Sequence, residues 1–358
     1  MTKVRIHNFS AGPAVLPVPV RERLLEALRL DPYGQPSVAE ISHRGKKFLA
    51  IAEELEQRLR GLMDVGDDHA VLLLQGGANL QFAMLPMNFA HDRTAAYLIS
   101  GHWGKKALAE ADRVTTTMVV GSSESQGFAN VPEIGDLPDD CAYLHFTGNE
   151  TIHGVQFQTP PAVAVPLAAD VSSEFLSRPY PFGDLGFAYA GAQKNLGIAG
   201  VTVVLIRRDL LGRIPDDLPR YLDYRTWIDS ESMYNTPATL PWFVALETLR
   251  WIEENGGLEG MASRNQAKAA ALYAAIDESD FYSNPVAPEV RSVMNVPFWT
   301  ADESLVAGFV EQAEQAGLQG LKGHRALGGL RASLYNALSL ESVDALINFM
   351  QDFERRYG

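Results

Sequence analysis

The sequence predicts an α/β protein with a mainly parallel sheet between helices in a large domain, followed by a small α+β domain. Short apolar runs, rich in β-branched residues, alternate with helical patterns from residue 71 to residue 206. This alternation is typical of parallel strands joined by helices. The pattern is lost over residues 209–241, and short strands and helices return beyond residue 257. Gly256-Gly257 is a strong helix stop and marks the predicted boundary.

The composition is that of a globular protein with a large core. Hydrophobic residues make up 46% and charged residues 21% of the sequence, which is ordinary for a globular protein. The length of 358 residues is sufficient for about two domains. The formal net charge of -14 and the lack of a basic stretch argue against a nucleic-acid partner. No signal-peptide pattern and no apolar run of membrane-spanning length occur, so we expect a cytoplasmic protein without a membrane partner.

The first predicted elements are a short strand and two helices. Residues 8–13, NFSAGP, predict a strand that ends in a turn, and a helix is predicted over residues 19–30. His43 and Arg44 precede the second helix. They are either two solvated loop residues or an anion clamp, and the clamp requires another basic cluster. The second helix is predicted from apolar residues at helical spacing: Phe48, Ile51, Leu55, Leu59 and Leu62.

Residues 71–77 combine an apolar strand with a glycine turn that leads into a helix at residues 78–85. This geometry directs free backbone N–H groups of a helix N-terminus toward an anion such as phosphate, although many α/β turns carry glycines only to close tightly. The next strand, 95–99, precedes Trp103 and a helix at 105–113. Trp103 is either a core aromatic or an indole that stacks on a flat heteroaromatic ring.

Two further strands are predicted at residues 142–146 and 163–169, although Pro166 disfavours a central strand. Asp170 follows the second of them. An aspartate at this place is usually a cap or turn former, and it can also pair with a cationic ring nitrogen. No spacing typical of metal ligands occurs, and the histidines are too scattered for zinc.

Lys194 lies at the centre of FAYAGAQKNLGIAGVTVVLI (187–206), between two apolar runs that predict buried strands. A lysine between such strands is desolvated, and its pKa falls toward that of a usable amine nucleophile. This is the environment that a Schiff-base lysine needs. The alternative is a surface lysine on a β-turn with its ammonium group in water.

The carboxyl-terminal part contains the second basic cluster, formed by Lys322, His324 and Arg325 and followed by Arg331. This cluster favours the interpretation of the first one as an anion clamp. We predict a large domain of residues 14–256 and a small α+β domain of residues 1–13 and 257–358. The predicted elements beyond residue 240 are helices at 241–255, 258–276, 305–313 and 343–353 and strands at 291–299 and 330–335.

Several motifs along nearly the whole chain resemble those of the class V, fold type I aminotransferases, which depend on pyridoxal 5'-phosphate. They are NFSAGP, ISHRGK, LLLQGGANLQ, SGHWGKK, GNETIHG, AADVSSEF, AGAQKN, MYNTPAT and GHRALGGLRAS. SHRGK, AGAQKN and the GHR motif are specific in combination. The resemblance implies the fold type I architecture with a seven-stranded type of sheet, and a homodimer whose active sites are shared between subunits.

The resemblance also implies roles for individual residues. Lys194 would form the Schiff base with the cofactor and shuttle a proton, and Asp170 would keep the pyridine nitrogen protonated. Some relatives carry an arginine at the position of Asn79, so the cofactor phosphate would here depend on backbone donors and the helix dipole. The other implied cofactor contacts are Ala78, Trp103, Thr151, Gln193, and Asn235 and Thr236 of the partner subunit. The implied substrate contacts are Arg331 at the α-carboxylate, and His43, Arg44, His324 and Arg325 at the phosphate or distal carboxylate.

The implied reaction exchanges the amino group between L-glutamate and 3-phosphohydroxypyruvate, giving O-phospho-L-serine and 2-oxoglutarate in serine biosynthesis. Activity on 4-phosphohydroxythreonine, in vitamin B6 synthesis, stays open. A serine–glyoxylate or alanine–glyoxylate aminotransferase would leave the two basic clusters unpaired. A cysteine desulfurase needs a mobile cysteine, whereas Cys141, the only cysteine, lies in the apolar run CAYLHF. A non-catalytic binding protein with this fold is the remaining alternative.

Overall fold

The computed structural model describes residues 6–29 and 36–358. Among these residues the helices are α1 (Val18–Leu28), α2 (Lys46–Met63), α3 (Gly77–Phe89), α4 (His102–Ala111), α5 (Tyr224–Asp229), α6 (Thr239–Glu254), α7 (Gly257–Asp277), α8 (Val306–Gln315) and α9 (Leu340–Tyr357). The strands in the same part of the chain are β1 (His7–Asn8), β2 (His69–Leu74), β3 (Thr94–Ile99), β4 (Thr117–Ser122), β5 (Cys141–Thr147), β6 (Asn149–Glu150), β7 (Val155–Gln156), β8 (Leu167–Asp170), β9 (Phe187–Gly191), β10 (Thr202–Arg207), β11 (Tyr282–Ser283), β12 (Asn295–Thr300), β13 (Leu318–Gln319) and β14 (Leu330–Ser333). No helix within the described ranges is long and apolar enough to cross a membrane.

A seven-stranded sheet forms the centre of the large domain, in the order β2, β10, β9, β8, β5, β3, β4. Neighbours from β9 to β4 pair in parallel, whereas β10 pairs antiparallel with both β2 and β9. Every residue of β5 and β8 is buried, as expected of strands with helices on both faces. The predicted α/β fold with a mainly parallel, seven-stranded sheet is confirmed.

Helices cover both faces of this sheet because its strands present apolar side chains alternately to each side. On one face, α2 and α6 contact each other, and the rings of Phe48 and Trp242 lie 5.5 Å apart. On the other face, α3 and α4 contact each other over the second core. Leu72 and Leu73, successive residues of β2, accordingly enter different cores.

The carboxyl-terminal part contains an antiparallel sheet of β11, β12 and β14. Its apolar core includes side chains from α7, α8 and α9, and the rings of Phe309 and Phe353 lie 5.0 Å apart. Phe9 joins this core, and β1 pairs with β13. These contacts support the division into residues 14–256 and residues 1–13 with 257–358, which stays a prediction. Residues 1–5 of that division lie outside the described part.

Some individual elements differ from the prediction. The sequence pattern does not predict β4, an edge strand, because Met118 and Val119 are exposed and no buried run results. The strand predicted from residue 163 begins at Leu167, since Pro166 has no N–H group to donate to the ladder. The strand predicted from residue 291 begins at Asn295. The predicted end of the first helix at residue 30 lies outside the described residues.

Candidate functional site

The carboxyl ends of the parallel strands form one wall of a cavity of about 290 Å³. Thr147 and Asp170 are the last residues of β5 and β8, and Lys194 follows β9 in the link to β10. This edge is where open α/β sheets bind ligands. The residues predicted for the site that line this cavity are Ala78, Asn79, Trp103, Thr151, Asp170, Gln193, Lys194, His324 and Arg331.

The other predicted site residues do not line this cavity of a single chain; they are His43, Arg44, Asn235, Thr236 and Arg325. His43 and Arg44 lie in the loop before α2, where the Arg44 N–H donates to Ser42 Oγ at 3.2 Å. The Asn235 side-chain amide donates to the Tyr221 hydroxyl at 3.4 Å. The roles implied for these residues stay predictions.

The Lys194 amine faces the cavity and forms one side-chain hydrogen bond within the described part of the chain. Its Nζ donates to Thr151 Oγ1 at 3.2 Å and lies 6.0 Å from the centre of the Trp103 ring. Burial lowers the pKa of Lys194 to about 8, although the carboxylates of Asp170 and Glu150 act in the opposite direction. The amine is therefore neutral at a pH at which an ordinary lysine is charged.

Asp170 is a buried carboxylate at the end of β8. Its Oδ1 accepts a hydrogen bond from the Ser172 N–H at 2.9 Å. Burial raises the pKa of Asp170, and the charge of Lys194 and the hydrogen bonds from Ser172 only partly offset this effect. A buried carboxylate of this kind is stabilised by a cationic ligand group placed beside it.

Glu150 is a buried carboxylate that sequence reasoning missed. Its Oε1 and Oε2 accept hydrogen bonds from the backbone N–H groups of Gly104 at 2.9 Å and Trp103 at 3.1 Å. Burial raises the pKa of Glu150 to about 7, and the two N–H donors act against this rise. Glu150 thus caps the N-terminus of α4 and fixes the backbone that carries Trp103.

The close approach of Glu150 to α4 also explains a glycine. A Cβ on Gly101 would lie 2.5 Å from the Glu150 carboxyl carbon, so a side chain is excluded there. In the sequence, the only indication of a role for Glu150 was its position next to Thr151 in the GNET motif (148–151). This indication was insufficient, because the N–H groups that Glu150 caps lie 46 and 47 positions earlier in the chain.

Arg331 and His324 also line the cavity. Arg331 Nη1 donates to the Thr151 carbonyl at 3.5 Å, and its Nε is buried without a hydrogen-bond partner. No carboxylate of the described residues forms an ion pair with Arg331. The His324 ring lies 5.4 Å from the ring of His102, which the sequence did not single out. Burial lowers the pKa of all three side chains, and neighbouring cations add to this effect for both histidines.

The donors around the cavity fit pyridoxal 5'-phosphate. The N-terminus of α3 follows Gly76, which has a φ of 99°, and no side chain in the described part of the protein caps it. Its first N–H groups are thus available to a phosphate. The Nε1 of Trp103 and the Nε of Arg331 are buried without partners. A neutral amine, a buried carboxylate and an uncapped helix match the aldehyde, ring nitrogen and phosphate of this cofactor.

Comparison with known proteins points to one family. The family model described as Aminotransferase class-V matches residues 6–346. A phosphoserine aminotransferase of Listeria monocytogenes serovar 1/2a is 48% identical over 351 residues, which cover 98% of this chain and 96% of that protein. The structure of phosphoserine aminotransferase from Bacillus circulans subsp. alkalophilus has a TM-score of 0.96 and 46% identity, covering 99% of this chain and 100% of that chain. The PLP-bound phosphoserine aminotransferase from Trichomonas vaginalis has a TM-score of 0.90 and 40% identity, covering 97% of this chain and 100% of that chain.

Proposed function

Because the chain belongs to the class V aminotransferase family, we propose that it exchanges the amino group between L-glutamate and 3-phosphohydroxypyruvate, giving O-phospho-L-serine and 2-oxoglutarate. It is an aminotransferase, and its cofactor is pyridoxal 5'-phosphate, as the resemblance to the family implies. The observation that carries the substrate assignment is the Arg331 guanidinium at the cavity, which the His324 ring also lines. A guanidinium and an imidazole donor in one cavity suit a substrate with an anionic group at each end.

We assign the movement of the substrate α-proton to Lys194. When bound, pyridoxal 5'-phosphate supplies an electron sink that stabilises negative charge at the substrate α-carbon. The pKa of about 8 leaves a large fraction of Lys194 neutral near pH 8, so its Nζ is able to accept a proton. The Thr151 hydroxyl, 3.2 Å from Nζ, holds the amine at the cavity wall. Asp170 is assigned to the ring nitrogen, where a positive charge would compensate its burial.

The substrate contacts divide into a general contact and a specific one. Arg331 is assigned to the α-carboxylate, which every amino-acid substrate carries, because its guanidinium is largely desolvated and its Nε lacks a partner. His324 and Arg325, together with His43 and Arg44, are assigned to the phosphate or the distal carboxylate. A phosphate dianion has three acceptor oxygens, so several converging donors are needed to replace its water.

We further propose a homodimer whose subunits share active sites. Asn235 lies near Tyr221 and Tyr234, whose side chains are 39% and 44% exposed, and tyrosine is enriched at interfaces. Mixing a Lys194→Ala protein with an Asn235→Ala, Thr236→Ala protein is expected to restore part of the activity through hybrid dimers. No recovery after demonstrated subunit exchange contradicts the shared site. A cytoplasmic location without nucleic-acid or membrane partners completes the proposal and agrees with the net charge of -14.

The substrate proposal is tested by a coupled assay with 2-oxoglutarate as the amino acceptor. O-Phosphoserine, serine, alanine and 4-phosphohydroxythreonine are compared as amino donors. We expect kcat/KM for O-phosphoserine to exceed those for serine and alanine by at least about 100-fold, because the latter leave the basic residues unpaired. Equal values for O-phosphoserine and alanine contradict the proposal.

Variants separate the general contact from the specific one. Arg325→Ala is expected to cost about 2–4 kcal/mol of transition-state binding for O-phosphoserine and much less for alanine. Arg44→Ala is expected to behave in the same way. Arg331→Ala is expected to weaken both donors alike. Equal proportional losses for O-phosphoserine and alanine with Arg44→Ala and Arg325→Ala would show that these residues do not select the phosphate.

A further inference from the structure

Lys106, the last residue of the SGHWGKK motif, is a cation on α4 to which no role has been assigned. Its Nζ donates to Asn79 Oδ1 at 3.1 Å and lies 5.3 Å from the centre of the Trp103 ring. Asn79 and Trp103 both line the cavity. Lys106 is half-buried, and within residues 6–29 and 36–358 it forms no ion pair with a carboxylate. Its charge therefore lies beside the cavity without an anionic partner among the described residues.

The preceding lysine provides a direct contrast. Lys105 Nζ forms an ion pair with Glu124 Oε1 at 2.6 Å, and both side chains are about half exposed. Lys105 and Lys106 are adjacent on one helix, yet among the described residues only Lys105 has a carboxylate partner. The ammonium group of Lys106 is therefore available to an anion near Asn79.

The N-terminus of α3 is where such an anion fits. Its backbone N–H groups and the helix dipole attract negative charge, but they provide only a partial positive charge. The side chain of Asn79, in the first turn of α3, is neutral. Asn79 Oδ1 instead accepts from Lys106, which brings a full positive charge from α4 to this end of α3. A phosphate dianion there would meet both the backbone donors and the ammonium group.

We propose that Lys106 is the side-chain cation of the cofactor-phosphate site, and that Asn79 holds it there. The inference rests on the assignment of pyridoxal 5'-phosphate to this cavity and adds a binding residue to it. Trp103 contributes by presenting its ring to the ammonium group, a cation–π contact that attracts the ammonium to this position. The other explanation of the contact is a purely structural link between α3 and α4.

The two explanations differ in their dependence on the phosphate of the ligand. The apoprotein is titrated with pyridoxal 5'-phosphate and with pyridoxal, which lacks the phosphate, and binding is followed by absorbance and by protein fluorescence. The variants are Lys106→Gln, which removes the charge, Lys106→Arg, which keeps it, and the control Lys105→Gln. Thermal unfolding of each apoprotein shows that the variants are folded.

We expect Lys106→Gln to weaken binding of pyridoxal 5'-phosphate about tenfold, in line with loss of a partly exposed charge-assisted contact. Pyridoxal is expected to bind this variant within about twofold of the unmodified protein, because it has no phosphate to contact Lys106. Lys106→Arg and Lys105→Gln are expected to stay within about threefold for both ligands. Raised salt is expected to weaken pyridoxal 5'-phosphate binding more in the unmodified protein than in Lys106→Gln.

Three results overturn the inference. They are unchanged binding of pyridoxal 5'-phosphate to Lys106→Gln, an equal loss for pyridoxal, and an equal loss in Lys106→Arg. A structural link between α3 and α4 predicts the second result. Failure of the unmodified apoprotein to bind pyridoxal 5'-phosphate would instead contradict the cofactor assignment, so the two failures are distinguishable.

Discussion

Lys194 at the cavity and Lys268 in the carboxyl-terminal core both have a pKa lowered by desolvation, but Lys194 is half-buried whereas Lys268 is fully buried. Burial lowers the pKa of Lys194 to about 8 and that of Lys268 to about 7. Lys194 Nζ lies at the cavity wall, with the carboxylates of Asp170 and Glu150 in its electrostatic environment. Lys268 is 1% exposed, and its Nζ donates to the backbone carbonyls of Leu334 at 2.7 Å and Tyr335 at 2.8 Å.

The comparison shows that a lowered pKa does not by itself identify a catalytic lysine. Desolvation perturbs both amines, because burial penalises the charged form wherever it occurs. The difference lies in access and in hydrogen bonding. Lys268 uses its donors to hold α7 against the end of β14 and has no place for a ligand, whereas Lys194 contacts one hydroxyl and faces the cavity. We therefore assign chemistry to Lys194 and a structural role to Lys268.

The same substitution at both positions is expected to give the largest contrast. Lys194→Met removes the amine that moves the α-proton and is expected to lower kcat by at least about 10³-fold. Lys268→Met is expected to keep kcat within about threefold, since Lys268 does not contact the cavity. Steady-state kinetics with O-phosphoserine and 2-oxoglutarate measure both values. Comparable losses of kcat in two folded variants would remove the distinction between the lysines.

The order of the two variants is expected to reverse for stability. Lys268→Met leaves the carbonyls of Leu334 and Tyr335 without their lysine donor and is expected to cost about 2–3 kcal/mol of unfolding free energy. Lys194→Met removes an amine that makes one hydrogen bond at a cavity and is expected to stay within about 1 kcal/mol. Denaturant unfolding of the apoproteins measures the difference. A greater loss in Lys194→Met contradicts the structural role of Lys268.

The pH dependence of this stability loss has a definite sign. The folded pKa of Lys268, about 7, lies below the unfolded value of 10.5, so the unfolded chain binds more protons between these values. The unmodified protein therefore gains stability as pH rises through this window, and loses that contribution as pH falls toward 7. Lys268→Met lacks this group, so its deficit is expected to be larger at pH 9 than at pH 7. A deficit that shrinks with rising pH is incompatible with a neutral, buried Lys268.

The rate at which the apoprotein reacts with the aldehyde of pyridoxal 5'-phosphate, here called the capture rate, is expected to depend on pH through the pKa of Lys194. Only the neutral amine reacts with an aldehyde, so the capture rate rises with pH and levels off above the pKa. With the pKa lowered to about 8 from 10.5, the midpoint is expected near pH 8. Stopped-flow absorbance between pH 6.5 and about 11 measures the curve, a range that includes both values. A rate that still increases about tenfold per pH unit near pH 9 would indicate an ordinary lysine.

The smallest expected effect concerns Glu150. Its negative charge raises the pKa of Lys194, so Glu150→Gln is expected to lower that pKa and move the capture curve toward lower pH. Capture at pH 7.5 should become faster by about two- to threefold. Glu124→Gln, a change at an exposed carboxylate paired with Lys105, is the control and is expected to leave the curve in place. A shift to higher pH with Glu150→Gln contradicts the electrostatic account.

Much of the fold was predictable because its central strands are continuous apolar runs with turns between them. The strand β5 and the segment around Lys194 are recognisable from composition alone, since both are buried on two faces. The edge strand β4 was not predictable in this way because water covers part of it. The strand β8 is shorter than its apolar run because a proline interrupts the ladder.

Site residues that stand at or near strand ends were predictable from the sequence, whereas residues that act through distant partners were not. Asp170 ends a strand and Lys194 lies in the link between two strands, positions that the sequence pattern reveals. Glu150, Lys106 and Lys268 act through partners that are 46, 27 and 66 positions away in the chain, respectively. No local pattern encodes such pairs. Their roles emerge only when α3, α4 and β14 have their final places.

The most direct test of the comparison is chemical labelling of the loaded protein. Borohydride reduction fixes the cofactor to the lysine that holds it, and peptide mapping identifies that residue. We expect the pyridoxyl group on Lys194 and not on Lys268, because the labelled lysine must face the cavity and a lowered pKa alone is not sufficient. A pyridoxyl group on Lys268, or on any lysine other than Lys194, would contradict the account.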